Sequence, residues 1–124
     1  MLKTWRLPES ELVYTEFRNT HLEEFASGCL ICPIPTKREI GSFRIIANEF
    51  PYDAVSAVND MLALKEHAPC LTVEQLVELE AIKRLLGAER FYDLILENLP
   101  KKKTIPGHYH IHLMKLTKGG ESHE

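Results

Sequence analysis

The run His108-Tyr109-His110-Ile111-His112 is the stretch of this sequence best equipped for chemistry. On an extended strand alternate side chains share a face, so the imidazoles project side by side, about 6.7 Å apart at successive steps. Tyr109, Ile111 and Leu113 then take the opposite face, toward a core. A neutral imidazole is a nucleophile near neutral pH, because its unperturbed pKa is about 6.5. A neighbouring imidazolium can donate to a phosphate oxygen as charge moves. The row therefore suits phosphoryl-group chemistry. The competing readings are a solvated surface strand and a purely structural metal site.

A second cluster begins at Cys29-Leu30-Ile31-Cys32, just before Pro33 and Pro35. C-x-x-C spacing lets two thiolates reach one tetrahedral zinc ion. His67, at the end of the LALKEH segment, and His108, at the start of the last strand, would complete a closed Cys-Cys-His-His site. His21 and His123 are further candidates, both in polar segments. A redox pair would call for a thioredoxin-like βαβ setting, which the pattern lacks. Two buried, inert cysteines are the remaining alternative. Cys70, beside Pro69, reads as an incidental thiol.

The elements that must position these groups are short. A helix is expected from about Val73 to Leu86, with Thr72 as N-cap and Gln75 completing a capping box. Leu76, Leu79, Ile82 and Leu86 form its buried stripe, and Gly87 closes it. Strands are expected over Ser42 to Ala47, Ala57 to Lys65, Phe91 to Glu97 and His108 to Leu116. Leu12 to Arg18 and the neighbourhood of Ile40 read as edge strands. The order predicts an α+β fold with a largely antiparallel sheet of about five strands, one main helix and a second short one.

The totals set limits. The 124 residues, 44% hydrophobic, suit one domain: an N-terminal arm over 1–28, a core over 29–116 and a flexible tail over 117–124. A net charge of −3 argues against broad nucleic-acid binding. No apolar run reaches the ~18 residues of a membrane span, and Met1 to Ser10 does not read as a secretory signal. A cytoplasmic protein is the expectation. Lys101-Lys102-Lys103 reads either as a polyphosphate-attracting loop or as a solvated turn. Trp5 reads as an anchor for the arm.

His108 to Met114 fits the pattern His-φ-His-φ-His-φ-φ, with φ apolar, and resembles the signature of the histidine triad superfamily. The segment Arg44 to Tyr52 resembles the strand and turn that begin the nucleotide pocket in the branch with galactose-1-phosphate uridylyltransferase and dinucleoside polyphosphate phosphorylases. Met61 to His67 and Tyr92 to Asn98 resemble later strands of that pocket, and the likeness spans roughly 29–116. The resemblance implies a homodimeric, nucleotide-binding hydrolase or nucleotidyltransferase. His110 would attack the α-phosphate and His112 would contact phosphate oxygens. Asn48 and Phe50 would lie near ribose and base and Asn98 near the phosphates, with Thr104 a further substrate-binding candidate. Cys29, Cys32, His67 and His108 would hold zinc. The sequence departs from the family pattern at Ile105, which stands three residues before His108, where many members carry a serine.

Overall fold

Runs of β-branched and aromatic residues bounded by turn residues become the strands of one antiparallel sheet. The computed structural model describes residues 5–21, 29–99, 105 and 107–117. In chain order these residues form α1 (Pro8–Thr20), β1 (Thr36–Ile40), β2 (Phe43–Ala47), β3 (Ser56–Leu64), α2 (Val73–Glu89), β4 (Leu94–Leu96) and β5 (His110–Leu116). The five-stranded sheet has the order β1-β2-β3-β5-β4. The α+β class with an antiparallel sheet is as expected from the sequence.

Alternation divides the sheet into two faces. Phe43 and Ile45 of β2, Leu62 and Leu64 of β3, and Ile111 and Leu113 of β5 pack with Leu79, Ile82 and Leu86 of α2. On the other face Ile46, Met61 and Ala63 pack with Ile31, Cys29, Ile34 and Ile105. β5 lies between β3 and β4, with Met61 opposite His112 and Ala63 opposite His110. The histidines therefore belong to the face without α2.

The β1–β2 hairpin turns at Gly41, whose φ of 57° suits a residue without a side chain. Glu78 of α2 accepts from the Ser42 N–H at 2.6 Å, which pins this turn to the helix. α2 begins with the expected reciprocal cap: Gln75 N–H donates to the Thr72 hydroxyl, and Thr72 N–H donates to the Gln75 side chain.

Other local expectations are corrected. Gly87 does not end α2; the helix runs to Glu89 and closes on Arg90, at φ 61°. Glu89 accepts both terminal nitrogens of Arg38 at 2.7 and 2.8 Å, which ties the last turn to β1. Leu76 faces outward, 52% exposed, while Leu71 ahead of the helix packs on the core. Only Leu94–Leu96 of the expected Phe91 to Glu97 strand pairs with β5. Tyr92 leaves that line because its hydroxyl bonds Asp60.

The largest correction concerns Leu12 to Arg18, expected as an edge strand and found inside α1. Pro8 in its first turn, acidic Glu9 and Glu11 near the start and Arg18 near the end all favour helix. The start of α1 is held by one carboxylate: Asp53 accepts from the Leu7 N–H at 2.8 Å and from the Ser10 hydroxyl. Ala54 N–H donates to the Trp5 carbonyl alongside. Asp53→Ala should cost about 1–2 kcal/mol in urea unfolding. Amide exchange should quicken in α1 while β3 and β5 stay protected; unchanged exchange in α1 would show that Asp53 does not hold it.

Candidate active site and metal centre

The segment Cys29 to Ile34 folds into a tight knuckle against β2. Cys32 N–H donates to Cys29 Sγ at 3.4 Å, and Ile34 N–H donates to the Ile31 carbonyl at 3.1 Å. Buried Arg44 of β2 holds the turn from below, donating to the carbonyls of Ile31, Cys32 and Ile34. Ile31, fully buried, plugs the knuckle into the sheet.

His108 meets this knuckle from just ahead of β5, which starts at His110 and not at His108 as expected. Its Nε2 lies 2.8 Å from the Leu64 carbonyl, which can only accept, so Nε2 carries the proton and Nδ1 the lone pair. Nδ1 lies 3.3 Å from Cys29 Sγ and 3.5 Å from Cys32 Sγ. His67, just after β3, brings its Nδ1 to 3.4 Å from Cys32 Sγ. All four donor atoms fall within 4.8 Å of one another, so Cys29, Cys32, His67 and His108 can hold a metal ion. Bond lengths of ~2.3 Å to sulfur and ~2.05 Å to nitrogen give a tetrahedral S···N edge of about 3.6 Å, close to these separations. Burial lowers the His108 pKa, aided by His67 and Arg44, which favours the neutral ring that a metal needs. Burial and the neighbouring Cys29 raise the Cys32 thiol, a penalty that a cation between the sulfurs would offset.

His110 and His112 turn toward a cleft holding about 590 Å³, open mouth included. His110 Nδ1 lies 2.9 Å from the His108 carbonyl, so Nδ1 carries the proton and the lone pair sits on Nε2. The nucleophile candidate is thus oriented by the backbone of a metal-ligand candidate. His112 is buried under Tyr52, with ring centroids 4.9 Å apart, and its Nδ1 lies 3.3 Å from Asn59 Nδ2. Burial, reinforced by His110 and Arg6, pushes its pKa down to about 4. At neutral pH His112 therefore carries a neutral ring, where the sequence reading had an imidazolium.

The remaining sequence candidates divide. Asn48, Phe50 and Asn98 line the cleft. The Asn48 side chain also serves its turn, accepting from Phe50 N–H and donating to Asn59, both at 3.0 Å. Asn98 reaches the Tyr52 hydroxyl at 3.5 Å. Thr104, the Lys101 to Lys103 loop and His123 lie outside the described residues. His21 stacks on Phe17 at 4.0 Å and is not in the metal cluster.

Sequence reasoning missed the wall supplied by α1 and the turn before it. Arg6, Tyr14 and Phe17 line the cleft. The Arg6 guanidinium lies 4.0 Å from the Tyr14 ring centroid and 4.9 Å from that of Tyr52, and its Nε donates to the Phe50 carbonyl. Tyr14 and Phe17 both pack on Phe50. Their i, i+3 spacing was the available signal. A cleft with one guanidinium, two imidazoles and clustered aromatic rings suits an anionic group attached to a flat ring.

Comparison with family models, with curated proteins and with solved structures finds no match for this chain. Among the described residues no helix is long and apolar enough to cross a membrane.

The depressed His112 pKa sets a pH dependence. Its folded-state value of about 4 lies below the ~6.5 of an exposed imidazole. The unfolded chain therefore takes up this proton first as pH falls. Stabilisation from the neutral ring is complete above about pH 6.5 and is lost on acidification toward about pH 4. The urea midpoint of His112→Gln should fall less steeply across that window than that of the unsubstituted protein. Parallel curves would contradict burial of a neutral ring.

Proposed function

We propose that this protein is a nucleotidyl hydrolase or transferase of the histidine triad type, acting at the α-phosphate of a nucleoside phosphate derivative. The observation that carries this reading is a pair of imidazoles in one cleft with complementary roles. His110 has its lone pair on Nε2, and His112 has Nδ1 occupied by an amide donor. His110 Nε2 attacks phosphorus, a P–N bond forms, and the bond from phosphorus to the leaving group breaks. The leaving group departs with the electron pair and takes a proton from solvent at the cleft mouth. His112 donates an N–H to a phosphate oxygen as its charge grows. Water or a second acceptor, losing a proton, then attacks phosphorus and frees His110. Arg6, which also pairs with Glu11 at 3.2 Å, brings a guanidinium to the cleft lining, and the rings of Tyr14, Phe17 and Phe50 offer a surface for the base.

The metal in this reading is zinc. Two thiolates and two imidazoles form a tetrahedral set that suits zinc, and four protein donors leave no position open for substrate. Its role is structural: it fastens the knuckle, the end of β3 and the start of β5. The homodimer implied by the resemblance and the cytoplasmic location expected from the sequence totals belong to the same proposal.

A second reading is a nucleotide-binding module without efficient turnover. Ile105 favours it, since this apolar side chain lines the cleft three residues before His108. Fluorogenic adenylated and guanylated phosphoramidates separate the two readings. The enzyme should turn them over and show an acid-labile nucleotidyl adduct in its intact mass. His110→Ala should lose the adduct and roughly a thousandfold or more in kcat, with the fold retained by circular dichroism. Binding without turnover or adduct would favour the module, and neither binding nor turnover would leave a metal-stabilised interaction domain.

Metal analysis should find one zinc per chain. Cys29→Ser should release it and lower the melting temperature, because binding energy in such sites is folding energy. A protein that is metal-free at full stability would defeat the zinc assignment.

A further inference from the structure

Asn59 is a buried polar residue near the middle of β3, set between Val58 and the buried Asp60, and it supplies the amide that meets His112. Its amide is fully committed. Oδ1 accepts from the Tyr52 backbone N–H and from Asn48 Nδ2, both at 3.0 Å. Nδ2 lies 3.1 Å from the Asp60 carbonyl and 3.3 Å from His112 Nδ1. Tyr52 N–H can only donate and the Asp60 carbonyl can only accept. These backbone partners admit one orientation of the amide; the reverse would set oxygen against oxygen at Asp60 and hydrogen against hydrogen at Tyr52. The group facing His112 is therefore an N–H. His112 Nδ1 must accept from it, and the ring proton must sit on Nε2.

We propose that Asn59 is a positioning residue that fixes His112 as an Nε2–H donor toward the cleft, and so selects an anionic oxygen as its partner there. A ring locked in this tautomer offers a hydrogen where negative charge gathers and no lone pair that would repel it. The Asn48-Phe50 turn is tied to the same amide, so the cleft wall and the donor are set together. The effect on turnover rests on the functional reading above. The tautomer does not.

The test is long-range proton–nitrogen NMR of the metal-loaded protein at pH 7.5, with nitrogen-15 in the histidines. His112 should show the Nε2–H tautomer. In Asn59→Asp an acceptor replaces the amide donor, and His112 should switch to Nδ1–H. In Asn59→Leu, which tolerates loss of the hydrogen bonds differently, the two tautomers should mix. With a fluorogenic nucleoside phosphoramidate, Asn59→Leu should lower kcat about ten- to a hundredfold and leave KM within about twofold. An Nδ1–H tautomer in the unsubstituted protein would overturn the proposal, as would an Nε2–H tautomer persisting in whichever variants fold. An Nε2–H tautomer with the expected switch, in a protein that turns over no nucleotide probe, would sink the functional reading and leave the Asn59 assignment standing.

Discussion

The pairing of β5 with β3 is the constraint from which the rest of the molecule follows. Its register sets Ala63 opposite His110 and Met61 opposite His112. Tyr109, just ahead of β5, and Ile111 and Leu113 within it then enter the layer beneath α2. Each such apolar side chain contributes about 2 kcal/mol on burial, which outweighs the cost of burying the histidines on the other face only if each imidazole finds a partner. Each does: His108 on the Leu64 carbonyl, His110 on the His108 carbonyl and His112 on the Asn59 amide. The bonds that make these rings tolerable in the interior also decide which nitrogen carries the proton. Stability and chemical role are thus set by the same contacts.

Charge is handled with similar economy. Two thiolates around a divalent ion would sum to zero, which would suit a knuckle packed on Ile46 and Ala63. The Arg44 guanidinium near that site is spread over backbone carbonyls. On the opposite face Asp60, also buried, is paired with Lys37 at 2.9 Å and with the Tyr92 hydroxyl. Burial and Asp60 together hold that hydroxyl well above its ordinary range, so it stays a donor. The sheet therefore separates the imidazole face from the buried Asp60 carboxylate and its half-exposed Lys37 partner by one layer of backbone.

What could be read from the residues depended on how local the signal was. The histidine-bearing strand and the α2 start were legible because alternation and the Thr72–Gln75 box are properties of a few adjacent residues. The sulfur and nitrogen donors were legible as types, and their meeting follows from the sheet order that brings the end of β3 beside the start of β5. α1 was misread because Leu12 and Val13, exposed in the fold, look like strand residues, while the helix signals of Pro8, Glu9 and Glu11 precede them. Asn59 went unnoticed because its importance lies in partners 7, 11 and 53 residues away. The polar pair Asn59-Asp60 inside an apolar strand was the trace it left.

The two-residue repeat of β5 also restricts how this site can vary over generations. Removing or adding one residue between His108 and His112 would hand the cleft to Tyr109 or Ile111 and drive an imidazole under α2. Point substitutions along that stretch are open to gradual selection, whereas a single-codon insertion or deletion there disables both the metal cluster and the cleft at once. Changes of length are therefore expected to accumulate only outside the strand.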